Sequence, residues 1–299
     1  MFYFISMVTI GLFLGQVFFR IHAFLTFIVA NLYKFSTMNI QLFSKNALVG
    51  GATQGIGAGI AIELAKCGAN VTVMSRSEAK LQNFTDSLPI VHPDQKHEYL
   101  VADFSDFESY KTLITEYFNS HTIDILVNNT NGPEPGLAME KNVDDYQKAF
   151  DLLFKTVCET TLRALPHMIK QNNGRIINVS SLSVKEPINN LALSNSVRSA
   201  VMAWAKTLSN EVAQYNVTVN NVLTGYFDTE RIKNLISHEA QQTHRSADEI
   251  KKARENKIPM KRLGRPEEYG HLVAFLASDY SSYLTGANIP LDGGLNNTY

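Results

Sequence analysis

The chain has 299 residues, of which 45% are hydrophobic and 18% are charged, and its formal net charge is −1. These values indicate a globular protein with a substantial core, and they give no global electrostatic basis for binding nucleic acid. Its two cysteines cannot build a disulfide framework, and no cluster of Cys and His has the spacing of a zinc site, so we expect no metal.

The first 37 residues form a hydrophobic segment that differs from the rest of the chain. Residues 2–19 carry no charge, and the length of this uncharged run is at the short end of what a membrane span needs. Two interpretations stay open. The segment is an anchor that places the following domain on the cytoplasmic face, or it precedes the true start of a cytoplasmic protein at Met38. We expect membrane contact only through residues 1–35.

Beyond this segment, strand-like and helix-like stretches alternate. Continuous apolar runs indicate strands buried on both faces, at residues 46–50, 71–74, 99–102, 123–127, 175–179, 217–222 and 288–291. Helical periodicity occupies residues 56–66, 79–87, 107–118, 143–171, 193–214 and 265–278. Strands separated by helices predict an α/β fold, a Rossmann-type doubly wound parallel sheet of about seven strands with helices on both faces. Residues 38–299 are predicted to form this single domain.

The turn after the first predicted strand carries a glycine cluster. Gly51, Gly55 and Gly57 lie between that strand and the first helix. Glycines at this place allow a tight turn and a close approach of the backbone to a pyrophosphate, which binds at the helix N-terminus. The placement between strand and helix therefore predicts a dinucleotide-binding site.

The spacing G-x-x-x-G-x-G resembles the short-chain dehydrogenase/reductase family, whose usual form is T-G-x-x-x-G-I-G, with Gly50 at the threonine position. Four further stretches resemble that family: "LVADFSD", "DILVNNTNG", "GRIINVSS" and "IPMKRLGRPEEYGHLVAFLASDYSSYLTGANIPLDGG". The resemblance covers roughly residues 43–294 and is greatest to the 3-oxoacyl-(acyl-carrier-protein) reductase branch.

The resemblance implies a nicotinamide dinucleotide, whose adenine amino group Asp103 would hold. The second strand ends in Ser75 and Arg76, without the acidic residue that binds the ribose 2′-hydroxyl of NAD. A guanidinium suits a 2′-phosphate, so NADP(H) is expected in preference to NAD(H). The residues expected at the cofactor are Gly51, Thr53, Gln54, Gly55, Ile56, Gly57, Ser75, Arg76, Asp103, Phe104, Asn129, Arg198, Gly225, Phe227 and Thr229.

The resemblance also implies four catalytic positions, a serine, a tyrosine, a lysine and an asparagine. The serine is present as Ser181, whereas counting along the motifs places Ser194, Arg198 and Leu153 at the other three. A serine hydroxyl is a far weaker acid than a phenol, and arginine does not deprotonate in proteins. Ser181, Ser194 and Arg198 can still stabilise an alkoxide, and Tyr226 is an alternative acid.

Three functions stay open at this stage. The first is an NADP-dependent oxidoreductase for a carbonyl or hydroxyl group of 3-oxoacyl type, on a small molecule or an acyl carrier. The second is a non-redox enzyme that binds NADP, and the third is a catalytically silent partner or sensor. The resemblance further implies a homodimer or homotetramer formed through residues 143–171, 193–214 and 288–291, and a polar substrate lid over residues 225–257.

Overall fold

The computed structural model of the chain describes residues 20–22 and 38–298. The strands described are β1 (Asn46–Gly50), β2 (Asn70–Ser75), β3 (His97–Val101), β4 (Ile125–Asn128), β5 (Gly174–Ser181), β6 (Val217–Thr224) and β7 (Asn288–Leu291). The α-helices between them are α1 (Gly55–Lys66), α2 (Glu78–Asp86), α3 (Phe107–Ser120), α4 (Val143–Phe150), α5 (Thr156–Lys170), α6 (Ala192–Val212), α7 (Glu230–Thr243), α8 (Ala247–Lys257) and α9 (Pro266–Ala277).

The strands form one parallel sheet in the order β3-β2-β1-β4-β5-β6-β7. The chain runs outward from β1 to β3 and then returns to place β4 against the other side of β1. Helices lie on both sides of this sheet, which confirms the predicted Rossmann-type fold of about seven strands. At this reversal the connections after β1 and β4 diverge, and such a crevice at the carboxyl ends of the strands is where ligands bind.

The strands β5 and β6 extend two residues beyond their predicted ends. Their parallel ladder continues through Ser180 opposite Leu223 and Ser181 opposite Thr224. Sequence hydrophobicity falls at Ser180, Ser181 and Thr224, although the backbone pairing does not stop there. The extension places Ser181 on a strand, so the backbone of this predicted catalytic residue is held by the sheet.

The predicted helix over residues 143–171 is correct in extent but not in winding. The helices α4 and α5 are joined by a π-helical segment, Asp151–Lys155. At its end the hydroxyl of Thr156 donates to the carbonyl of Leu152 at 2.6 Å. Short π-helical segments are frequent at functional sites, and this one includes Leu153, the position that the family resemblance assigns to an asparagine.

A row of asparagine side chains crosses four strands of the sheet. Nδ2 of Asn128 donates to Oδ1 of Asn178 at 2.9 Å, Asn178 donates to Asn221 at 2.9 Å, and Asn221 donates to Asn288 at 2.8 Å. Each pair is directly opposite in the register of β4, β5, β6 and β7. The amides satisfy one another inside the fold, because each carries both a donor and an acceptor.

The predicted lid over residues 225–257 consists of two helices, α7 and α8. The hydroxyl of Thr229 caps α7 by accepting from the backbone N–H of Ile232 at 3.4 Å, and Ser246 caps α8 in the same way. Their outer faces are polar, as predicted, but the two helices share a small apolar core. That core consists of Ile232, Ile236, Ile250, Ile258 and Leu263.

The predicted hydrophobic N-terminal segment, residues 1–37, lies outside the described residues except for 20–22. Among the helices of the part of the chain that the structure describes, none combines the length and the apolar character needed to cross a membrane.

Candidate active site

The turn between β1 and α1 has the close-packed geometry of a phosphate-binding loop. Gly55 has a φ of +58°, a conformation that favours glycine, and a Cβ on Gly57 would collide with the carbonyl oxygen of Gly51. Nδ2 of Asn129 donates to the carbonyl of Gly50 at 2.9 Å and so joins this turn to the end of β4. The N-terminus of α1 therefore opens into the crevice, where its free backbone N–H groups can bind a phosphate.

A cavity of about 150 Å³ lies at the end of β2, beside the glycine turn. Arg76 and Lys80 line it together with Thr53 and Ser75. The hydroxyl of Ser75 is buried and has no hydrogen-bond partner in the described part of the chain. The sequence pattern indicated Ser75 and Arg76 but not Lys80. The four-residue spacing from Arg76 was the available signal, because α2 starts at Glu78 and its first turn brings Lys80 back toward the strand end.

Asp103 and Phe104 line a neighbouring cavity of about 460 Å³, to which Arg76 also contributes. The carboxylate of Asp103 accepts from the backbone N–H of Ser105 at 2.9 Å and from its hydroxyl at 2.6 Å. These hydrogen bonds lower the pKa of Asp103, and the charge of Arg76 lowers it further. The carboxylate is thus ionised and exposed, as an acceptor for an adenine amino group must be. That role stays a prediction.

All four predicted catalytic residues line one cavity of about 250 Å³, between the glycine turn and the start of α7. Ser181 reaches it from β5, whereas Ser194 and Arg198 lie one turn apart on α6. Tyr226 follows the end of β6. Ten of the predicted cofactor residues also line it: Gly51, Gln54, Gly55, Ile56, Gly57, Asn129, Arg198, Gly225, Phe227 and Thr229.

The hydroxyl groups of Ser181 and Ser194 both act as acceptors toward the protein. Nε of Arg198 donates to Oγ of Ser194 at 3.2 Å, and the backbone N–H of Ser183 donates to Oγ of Ser181 at 3.2 Å. Each hydroxyl retains its own proton for donation, because a hydroxyl carries one donor and two acceptor positions. The cavity is therefore equipped with two hydroxyl donors.

Arg198 is fixed by a second hydrogen bond, from Nη1 to the carbonyl oxygen of Val179 at 2.9 Å. Burial, together with the nearby charge of Arg231, lowers the pKa of Arg198 to about 10, and Tyr269 opposes that shift. The guanidinium stays charged at neutral pH. It therefore serves as a fixed positive charge beside Ser194.

The position of the family's asparagine is occupied by an apolar cluster. Leu153 is buried and packs with Ala149, Leu193 and Val197. None of these side chains can accept or donate a proton. The replacement predicted from the sequence thus leaves no side chain here that could relay a proton.

The ring of Tyr226 packs against the apolar core shared by α7 and α8, and the guanidinium of Arg254 lies 5.3 Å from its centroid. The neighbouring Phe227 is buried edge-on against Tyr269, with ring centroids 5.3 Å apart. Packing therefore accounts for the presence of an aromatic side chain at both positions. Tyr226 nevertheless lines the cavity, so its role as an alternative acid stays a prediction.

The residues of the crevice fit a nicotinamide dinucleotide. The hydroxyls of Ser75, Thr130 and Ser180 are buried without a hydrogen-bond partner among the described residues, and Thr130 and Ser180 line the main cavity. A buried hydroxyl left unpaired is unfavourable by about 1–3 kcal/mol, which a ligand with polar groups would relieve. The glycine turn supplies the cradle for its phosphates. The sequence pattern did not indicate Thr130 and Ser180 as cofactor contacts, because their burial depends on neighbouring strands.

Comparisons with known proteins agree with this geometry. A family model described as enoyl-(acyl carrier protein) reductase matches residues 51–296. The NADPH-dependent reductase BacG of Bacillus subtilis is 31% identical over 252 residues, which cover 84% of this chain and 97% of that protein. The 3-oxoacyl-[acyl-carrier-protein] reductase FabG of Rickettsia conorii is 33% identical over 256 residues, covering 86% and 98%. The solved structure of YwfH, an NADPH-dependent reductase involved in bacilysin biosynthesis, superposes with a TM-score of 0.80 at 29% identity and covers 85% of this chain and 99% of that one.

Proposed function

Since the chain belongs to the short-chain dehydrogenase/reductase family, we propose that it reduces a carbonyl group with NADPH by means of a Ser181–Ser194 donor pair. The chain is an oxidoreductase of this family, and the relatives compared above are named as reductases. The comparisons therefore do not favour the two other functions, a non-redox enzyme and a silent partner or sensor.

The cofactor preference for NADP(H) is supported by the lining of the cavity at the end of β2 and by the names of the relatives. Arg76 and Lys80 place two positive charges in the cavity at the end of β2, where the ribose 2′-phosphate of the adenosine would bind. BacG and YwfH are both named as NADPH-dependent. Gly51, Gln54 and Gly57 would hold the pyrophosphate through backbone N–H groups.

The substrate that we propose is a carbonyl compound of 3-oxoacyl type, free or attached to an acyl carrier. The FabG relative, by its name, acts on such a compound. The cavity beside Ser181 and Ser194 opens toward a larger outer cavity of about 620 Å³, and Gln54, Gly132 and Arg231 line both. An extended substrate would occupy the two cavities together.

The observation that carries the mechanism is the orientation of the two serine hydroxyls. Each accepts a hydrogen bond from the protein, so each can direct its proton at the carbonyl oxygen. When bound, the cofactor supplies a hydride to the carbonyl carbon. Ser181 and Ser194 then stabilise the negative charge that develops on the oxygen, and Arg198 holds Ser194 and adds a positive charge. Solvent water reaching the outer cavity supplies the proton that completes the alcohol, and the hydroxide formed returns to bulk solvent.

Replacing Ser194 by Ala tests this mechanism. Loss of one donor to an oxyanion typically lowers kcat by about 10²–10³-fold. We expect that decrease in NADPH oxidation with acetoacetyl thioesters, together with an unchanged Kd for NADPH measured by fluorescence. The matched control is Ser196→Ala on the exposed face of the same helix. Unchanged kcat in the Ser194 variant, with Tyr226→Phe inactive, would instead assign proton donation to Tyr226.

We further propose that the protein is a homodimer or homotetramer and that its reductase domain works in the cytoplasm. Support for the first comes from apolar side chains on α4 and α5 that remain exposed. Support for the second comes from Cys67 and Cys158, which are both free thiols, as is usual in a reducing compartment.

A further inference from the structure

Two guanidinium groups contribute to the main cavity from different elements. Arg198 belongs to α6, and Arg231 lies in the first turn of α7. The guanidinium of Arg231 rests on the turn after β4, since a Cβ on Gly132 would lie 2.6 Å from its Nη2. The charge of Arg231 is close enough to Arg198 to contribute to the lowered pKa of that residue. The inner cavity thus contains two positive charges that repel each other.

Neither guanidinium forms an ion pair within the described residues, and the charge of Glu134 attracts Arg231 only from a greater distance. Within the described residues, no carboxylate lies within 4.0 Å of Arg198 or Arg231, and the side chain of Arg231 makes no hydrogen bond. The adjacent Glu230 instead pairs with Lys233 at 2.7 Å. Arg231 also stands near the positive end of the α7 dipole, which disfavours a cation. Such a concentration of positive charge is unfavourable in the free protein and is relieved by a bound anion.

The cofactor's phosphates have their own sites in this crevice, at the N-terminus of α1 and beside Arg76 and Lys80. Arg198, in contrast, is hydrogen-bonded to Ser194, which faces the reacting carbonyl in the proposed mechanism. Arg231 lines the inner cavity and also the outer one. It therefore stands at the passage through which the substrate, rather than the cofactor, would extend.

The acidic side chains near this passage lie on its outer side. Glu134, Glu140 and Glu230 line the outer cavity, and of these only Glu230 also reaches the inner one. Positive charge is therefore concentrated at the inner end, next to the two serine hydroxyls. An anionic group close to the carbonyl would be attracted there, whereas an uncharged acyl chain would gain nothing from it.

We infer that the substrate is an oxo acid, in which a free carboxylate close to the reducible carbonyl is bound by Arg231 with help from Arg198. This inference rests on the proposed reductase function and narrows its substrate class. The planar guanidinium of Arg231 can bind a carboxylate through two parallel hydrogen bonds. Arg231 is thus a specificity-determining residue, whereas the serine pair acts on the carbonyl of any substrate.

The experiment compares acids with their methyl esters in the full-length protein. NADPH oxidation is measured with acetoacetate, 2-oxobutanoate and the methyl ester of each. We expect kcat/KM to be at least about 10-fold higher for the acids, and Arg231→Gln to remove that preference by lowering the acid values about 10–100-fold while the ester values change less than about threefold. Lys252→Gln, an exposed cation on the neighbouring helix α8 and away from both cavities, is the matched control and should retain the preference.

Two binding measurements separate the possible failures. Calorimetric titration of malonate into the NADP⁺-saturated protein should show binding that Arg231→Gln weakens at least about 10-fold, even if no tested compound is reduced. Reduction of the esters without any preference for acids, and without malonate binding, would overturn the inference and leave the reductase function in place. A Kd for NADPH raised about 10-fold in Arg231→Gln, with the acid preference intact, would show that Arg231 binds the cofactor. That result would also overturn the inference.

Discussion

At the scale of single residues, Ser194 and Arg198 change the chemistry that their positions can perform. A phenol beside a lysine can be tuned to release a proton near neutrality, whereas a serine cannot. What Ser194 can do is donate a hydrogen bond, and Nε of Arg198 at 3.2 Å orients it for that purpose. The pair therefore favours stabilisation of charge over transfer of a proton, and proton transfer is left to water.

Removal of Arg76 tests the cofactor cavity. A hydrogen bond to a charged group contributes about 1.5–3 kcal/mol, so Arg76→Ala should raise the Kd for NADPH about 10–100-fold. NADH lacks the 2′-phosphate, and its Kd should change less than about threefold. Fluorescence titration with both cofactors measures the difference.

The second cation of the cavity should act in the same direction. We expect Lys80→Ala to raise the Kd for NADPH by a smaller factor than Arg76→Ala, about 5–10-fold. The reason is that an ammonium group is a point charge without the paired donors of a guanidinium. Lys111→Ala, on the exposed face of α3, is the control and should leave both cofactors unaffected. Equal weakening of NADPH and NADH by Arg76→Ala would show that Arg76 does not recognise the 2′-phosphate.

Motif counting located the residues that belong to strands and helices of fixed spacing. Ser181, Ser194 and Arg198 were predicted from such spacing, and the structure brings all three to one cavity. Arg231 was not predicted in this way, although Gly225 and Thr229 of the same segment were, because the family resemblance implies no role for its position. Its position on Gly132 depends on how α7 packs over a turn almost 100 residues earlier in the chain.

At the scale of elements, the asparagine row specifies how β4 to β7 align. The side chains of Asn178 and Asn221 are buried, and a one-residue slip of β5 in either direction would replace the amide of Asn178 by an isoleucine or a valine side chain. The amides would then lack partners inside the sheet. In the sequence these strands are apolar runs, and the row of asparagines becomes visible only when the register is known.

Replacing Asn178 by Ala should destabilise the fold through its neighbours. The side-chain oxygen Oδ1 of Asn221 would lose its donor, while the side chain of Asn128 would keep its hydrogen bond to Thr161 at 3.0 Å. A buried acceptor left unpaired is unfavourable by about 1–3 kcal/mol, and we expect a loss of that size in the free energy of unfolding in urea. Asn210→Ala, exposed on α6, should cost less than about 0.5 kcal/mol. A loss below about 0.5 kcal/mol for Asn178→Ala would contradict the role assigned to the row.

The π-helical segment between α4 and α5 marks another limit of sequence reasoning. Hydrophobic periodicity over residues 143–171 predicted the path of the chain correctly. It could not reveal a local change from i→i+4 to i→i+5 hydrogen bonds, because five residues are too few to shift the periodicity. The change matters here, since Leu153 within it joins the apolar cluster beneath Leu193 and Val197.

At the scale of the whole molecule, the predicted fold was correct because continuous apolar runs and intervening helices leave few alternatives to a doubly wound sheet. The observed strand order places the carboxyl ends of β1, β4, β5 and β6 around one crevice. These sequence patterns do not predict whether the chain associates with further copies of itself. The apolar residues of α5 and α6 suit a core and an interface equally well.

The outer face of α4, α5 and α6 carries the observation that supports an oligomer. Leu162 on α5 is 55% exposed, and Phe150 at the end of α4 is 36% exposed. Phe150 stacks on Phe154 at 4.7 Å, and Phe154 meets Trp204 of α6 edge-on at 6.1 Å. Exposed apolar side chains and contacting aromatic rings on one face are typical of an interface.

We therefore expect the protein to sediment as a dimer or tetramer at micromolar concentration, and Leu162→Glu to shift it toward a smaller species. A carboxylate at the centre of an interface loses its water without gaining a partner, which disfavours association. The same change should leave the free energy of unfolding of the dissociated chain nearly unaltered, because Leu162 is already exposed in the single chain. Ile90→Glu introduces the same charge at a site that is 66% exposed in the loop after α2, and it should leave the sedimentation coefficient unchanged. A monomeric wild-type protein, or a Leu162→Glu variant that sediments like the wild type, would contradict an interface on this face.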